Sequence, residues 1–106
     1  MSALRPGAGA PPFCFRLAGD PAIGSLSSAI LATIDRQDAS APQRVRGAAA
    51  SLRQYAAAGL GRPASDMAQA LDQISVDPGN DRAFDQLETL GVGLDSRMRS
   101  VCRTAS

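Results

Sequence analysis

Histidine, lysine and tryptophan are absent from the 106 residues, which include only one tyrosine, three phenylalanines and two cysteines. The missing histidine removes the commonest general base, the Ser-His and Cys-His nucleophile arrangements and every histidine-bearing metal site. The missing lysine removes the phosphate-binding G-x-x-x-x-G-K-[ST] loop. Cys14 and Cys102 are too few for a zinc site of their own. With these constellations gone, the chain is expected not to be an enzyme and to carry no cofactor and no metal. Long apolar runs are also missing. The longest, Ala29 to Ala32, falls far short of the roughly 20 residues that span a bilayer. The start, MSALRPGAGAPPF, lacks the apolar stretch of a signal peptide. No membrane insertion and a cytoplasmic location are therefore expected, unless a signal-peptide-independent export system recognises the tail.

Large apolar side chains are few, and much of the 44% hydrophobic content is alanine. A chain of this length holds one small domain, and a thin core of this kind is often completed by a partner or by self-association. Eleven basic and ten acidic residues leave a net charge of +1, and every basic residue is arginine. The guanidinium fork matches phosphate. Arginine without lysine, amid much Ala, Gly and Asp, is also what a GC-rich bacterial genome encodes, and that is the better account. Near-neutral charge argues against a domain-wide nucleic-acid footprint.

Residues 1–19 read as a flexible arm, because Pro6, Gly7, Gly9, Pro11 and Pro12 oppose regular helix. Its end, FCFRL, alternates Phe13, Phe15 and Leu17. Extended, these three would face one side as a short strand or an apolar anchor. Residues 20–106 form a helical domain. Asp20-Pro21 opens a first helix, with Ile23, Leu26, Ile30 and Ile34 on one face and an end near Gln37. Ser40, with Gln43 in capping-box spacing and Pro42 in the first turn, opens a second. Its face of Val45, Ala49, Leu52 and Ala56, flanked by Ala48 and Leu60, is mostly small residues, and Gly59 and Gly61 end it. A short third helix follows Pro63, capped by Ser65, with Met67, Ala70, Leu71 and Ile74 as its apolar side. Val76 to Asn80 is a turn. The fourth helix covers 80–103, with Asp81, Asp85 and Glu88 early and Arg97, Arg99 and Arg103 late, as the helix dipole favours.

Gly91 and Gly93 lie inside this last helix. On a helical wheel Phe84, Leu87, Leu90, Leu94, Met98, Val101 and Cys102 occupy an arc of roughly 120°. Gly91 falls near its centre and Gly93 on the polar side. A phosphate loop would need free backbone N–H groups at a helix mouth, usually after a strand. A break should disturb the phase of the apolar face, which continues unchanged across the pair. The preferred reading is a continuous helix with a notch at Gly91, facing the alanine-rich side of the second helix. A bend at Gly93 is the alternative.

Three further patterns are weaker. Asp77, Asp81 and Glu88 match calcium-loop positions, but Arg82 stands where glycine is obligatory, so helix capping explains Asp77 and Asn80 better. Ala57, Gly61 and Met67 have helix-turn-helix spacing within 52–73, but the recognition stretch SDMAQALD carries two acids and no basic residue. Arg46 and Arg53 lie together on the second helix, with Arg44 across the apolar face from them. Cys14 and Cys102 read as reduced, partly buried thiols, or as a disulfide stapling the tail to the last helix.

The expected fold is therefore all-α, a small bundle of three to four mainly antiparallel helices behind an N-terminal arm. The expected function is that of a non-catalytic assembly subunit: an adaptor, a chaperone or a component of a larger bacterial complex. It would bind itself or a larger partner protein through Phe84, Leu87, Gly91, Leu94, Met98 and Val101, with Phe13, Phe15 and Leu17 as a tail anchor. The alternative is a small DNA-binding regulator using the 52–73 segment, although nucleic acid is the less expected partner.

Overall fold

The computed structural model describes residues 6–7, 9–35 and 39–102. Among them the chain is all-helical, with no strand. The helices are α1 (Pro12–Ala18), α2 (Pro21–Gly24), α3 (Leu26–Ile34), α4 (Ala41–Tyr55), α5 (Arg62–Val76) and α6 (Asp81–Cys102), and a wide helical turn, Ala56–Leu60, ends α4. The all-α expectation holds. The helix count does not, because the tail contains a helix and the first expected helix is broken in two.

Proline explains the first difference. Pro11 is extended, at φ −56° and ψ 148°, and Pro12 is at the start of α1. Proline blocks helix upstream of itself but fits the first helical turn, where its missing N–H costs nothing. FCFRL is therefore helical rather than extended. Phe13 and Leu17, four residues apart, share a buried face with Cys14. Phe15 points the other way and is 54% exposed. The expected three-residue anchor is thus a two-residue anchor, and the flexible-arm reading fails from Pro12 onward.

The break between α2 and α3 lies at Gly24-Ser25. Glycine is a poor interior helix residue, and the Ser25 hydroxyl donates to the Pro21 carbonyl at 2.7 Å. Beyond the break Ala29 and Thr33 are buried while Ile30 and Ile34 are only half-buried. Gln37, where this helix was expected to end, lies outside the described residues, as does Arg103. The Asp20 cap is as expected, its Oδ1 accepting from the Ala22 N–H at 3.0 Å. Its Oδ2 accepts from the Tyr55 hydroxyl at 2.6 Å, tying α2 to the end of α4.

Val45, Ala48, Ala49 and Leu52 of α4 are all buried against α2, α3 and α5. Ser40 precedes α4 in helical backbone geometry and makes no capping hydrogen bond, so the capping box is not formed. Gly59 and Gly61 end the segment with φ of +151° and +72°, angles that non-glycine residues rarely adopt. Gly59 is needed for space as well, since a Cβ there would sit 3.0 Å from the Phe13 ring. The third helix begins earlier than expected, at Arg62, and Ser65 is inside it, its hydroxyl donating to the Arg62 carbonyl at 3.1 Å. Its apolar side is the expected one: Met67, Ala70, Leu71 and Ile74 are buried. Asn80 caps α6, its Oδ1 accepting from the Ala83 N–H at 3.1 Å.

Lateral order decides what remains open. α4 packs between α3 and α5, and α5 packs between α4 and α6. α6 is therefore an outer helix, and its main neighbour is α5 rather than the expected α4. Its last turns are the best held. Arg97 Nε donates to the Leu60 carbonyl at 3.3 Å, and the Cys102 carbonyl accepts from the Gly7 N–H at 3.1 Å. Cys14 and Cys102 form a disulfide with Cα atoms 5.8 Å apart, and both are fully buried. Of the two readings of these cysteines the staple is the one realised, because α1 as a helix brings Cys14 against the end of α6.

Candidate functional site

α6 is continuous from Asp81 to Cys102, straight through both glycines. Gly91 is half-buried, and a Cβ on it would meet Met67 Cε at 3.6 Å. The notch therefore exists but faces a flexible side chain of α5, not the backbone of an alanine-rich helix. A Cβ at Gly93 would have nothing within 4 Å.

The expected partner face of α6 divides along its length. Leu94 and Met98, at 2% and 4% exposure, belong to the chain's own core. They are not available to a partner. Leu87, Gly91 and Val101 are half-buried, and Leu87 and Val101 pack on that core. Phe84 alone of the set stays largely open, at 47%. The division follows the ties of the carboxy-terminal turns, which are held by the Arg97–Leu60 hydrogen bond and the disulfide. Val76, at 78% exposure, stands at the end of α5 just before the turn into α6, and Val92 is also open at 68%.

Between the exposed sides of α5 and α6 runs an open groove of about 840 Å³. From α5 it is lined by Asp66, Gln69, Ala70 and Gln73. From α6 it is lined by Arg82, Asp85, Gln86, Thr89 and Leu90. Ala70 is buried and Leu90 half-buried, so the groove has a shallow apolar floor between amide and carboxylate walls. Sequence reading did not find it, although two signals were present. One is the spacing of Gln69 and Gln73, one helical turn apart. The other is charge segregation: residues 66–88 hold six carboxylates (Asp66, Asp72, Asp77, Asp81, Asp85 and Glu88) and one arginine, Arg82. That segment has a net charge of −5, and the rest of the chain carries +6.

The helix-turn-helix residues are also placed. The segment corresponds to the end of α4, the wide turn and most of α5. Arg53 is ion-paired with Asp72 of α5, so the one arginine of 52–61 is engaged within the chain. The open side of α5 presents Gln69 and Gln73, with Asp66 and Asp72 half-exposed beside them. Asp77, Asp81 and Glu88, which match calcium-loop positions, begin and follow the turn before α6. Among the described residues no group of three or more His, Cys, Asp or Glu is placed to hold a metal ion. No helix of the described residues is long and apolar enough to cross a membrane.

Tyr55 is the one described side chain with a resolved proton-affinity shift. Burial of the phenol, reinforced by its hydrogen bond to Asp20 and the carboxylate's charge, pushes its pKa up to about 12. Arg16 opposes the shift weakly, being last among its causes. The phenol joins the Phe13 ring, 6.4 Å away, in holding α1 and α2 on α4, and lies away from the groove. Comparison with protein-family models, with curated proteins and with solved structures finds no match to this chain.

Proposed function

We propose that the protein is a non-catalytic helical interaction subunit, in the manner of an adaptor, chaperone or assembly component. It meets another polypeptide through the outer side of α5 and the amino-terminal half of α6. The observation that carries this reading is the one-sided packing of α6. α6 packs mainly on α5, an open groove runs between the two, and the first turns of α6 present Phe84 to solvent. Exposed large apolar side chains and grooves between helices are both features at which partner helices dock. Protein is favoured over DNA as the partner because the same surface is acidic, and phosphate would be repelled by it. The buried disulfide favours an oxidising compartment over the cytoplasm expected from the sequence, since cytosolic thiols are kept reduced.

Site-specific photo-crosslinking in the source cell tests the reading. A crosslinking residue in place of Phe84 or Val76 is expected to capture a polypeptide, either a second copy or another protein. The same residue in place of Ala50, on the exposed side of α4, is expected to capture none. Adducts at Ala50 alone, or equally at all three positions, would refute the assignment of this surface.

A further inference from the structure

We infer that the groove between α5 and α6 seats a cationic helical segment of a partner protein. This rests on the interaction-subunit reading and adds the chemistry of the occupant. Shape comes first. On α5 the groove extends from Asp66 to Gln73, and on α6 from Arg82 to Leu90. At ~1.5 Å per residue each wall is about two helical turns long, which matches a short helix laid along the groove. The floor residues Ala70 and Leu90 are small or already half-sunk, so the occupant's apolar stripe approaches closely without needing a deep pocket. Gln69, Gln73 and Gln86 offer amides that both donate and accept, and so suit polar side chains flanking such a stripe.

Charge then selects the occupant. Asp66 and Asp85 line the groove together with Arg82, an excess of one carboxylate, and Asp77, Asp81 and Glu88 fall within the same stretch of chain. An excess of one sign steers and selects the opposite sign, and like charge is disfavoured. Nucleic acid and anionic membrane are thereby rejected, and a segment bearing several Arg or Lys residues is favoured. A second copy of this chain, whose residues outside 66–88 carry +6, is the competing occupant that the test separates.

The test is an NMR titration of the intact, disulfide-bonded protein. The probe is a short capped amphipathic peptide with Leu and Ala along one stripe and Arg elsewhere. Its counterpart has Glu in place of every Arg. The arginine peptide is expected to shift the Gln69, Gln73, Gln86 and Thr89 signals saturably, with affinity falling as salt is added. The Asp66→Arg, Asp85→Arg double variant, whose sites are on the surface and whose fold the same spectra report, should bind about tenfold more weakly or worse. Equal binding of the glutamate peptide, shifts confined to other surfaces, or no weakening in the double variant would each overturn the inference. Concentration-dependent shifts of the same signals without peptide would overturn it in favour of a second copy. If crosslinking at Phe84 succeeds while the peptide fails, the groove and its cationic occupant are wrong and the interaction reading stands. If both fail, the interaction reading falls with it.

Discussion

Removing the cross-link between Cys14 and Cys102 is the perturbation whose size can be worked out most directly. The two residues are 88 apart in sequence, so nearly the whole described chain lies inside the loop. Joining the ends of a loop that long lowers the entropy of the unfolded chain by about 15 cal/mol/K, which is about 4.6 kcal/mol at 25 °C. Domains of this size are stable by ~5–15 kcal/mol, so the open form would lose a large share of its stability. With an unfolding entropy of ~2.1 cal/mol/K per residue, the melting temperature should fall by about 20 °C. Reductant alone is a poor probe, because both sulfurs are buried and reduction would wait on unfolding. The Cys14→Ala, Cys102→Ala double variant avoids this and leaves no unpaired thiol. Thermal melts followed by circular dichroism, with urea unfolding beside them, provide the measurement. The double variant should also show a larger urea slope, because its unfolded chain is free to expand. A loss below about 1 kcal/mol would refute the reasoning, since it would mean that the unfolded chain is already compact or that α1 is not seated as described.

The glycines divide into opposite outcomes on the same assay. Gly93→Ala should raise stability by about 1 kcal/mol, because the added methyl meets nothing and alanine favours helix. Gly91→Ala should be neutral to mildly stabilising, since Met67 Cε at 3.6 Å is the flexible end of a side chain, and a clear loss would show a tighter notch than described. Gly59→Ala should cost about 1–3 kcal/mol, for its positive φ and its approach to Phe13. Tyr55 makes a prediction about alkaline pH. Its folded pKa lies above the ordinary value of 10.0, so its contribution is fully present below pH 10 and is lost as pH rises towards about 12. Urea midpoints measured across that window should decline in the wild type, and Tyr55→Phe should remove this part of the decline; an unchanged decline would exclude Tyr55 as its source.

Local signals settled much of the fold before any packing was known. Asp20-Pro21, Pro42 and Asn80 mark helix starts, and Gly59 and Gly61 mark a stop, because each acts through backbone groups only a few residues away. The buried side of α5 and the unbroken run of α6 followed from helical periodicity, which reads a face without needing its partner. Periodicity also misled. It placed Ile30 and Ile34 on the core face by assuming one unbroken helix through Gly24-Ser25, and it read FCFRL as extended because alternation and a single helical turn look alike in five residues. The groove was only half legible: the clustering of carboxylates between residues 66 and 88 stands in the sequence, whereas the gap beside them does not.

What the sequence by itself determined is which stretches are helical and which side of most of them seeks burial. Tertiary structure alone decided which helix covers which face. It joined Cys14 to Cys102 across 88 residues and put Met67 rather than an alanine surface against Gly91. It also buried Leu94 and Met98 while leaving Phe84 open. The physical reason is that a side chain's wish to leave water is a property of the residue, but the surface that accepts it is fixed by the order in which helices pack. In this chain that order leaves α6 on the outside, with α5 as its main neighbour.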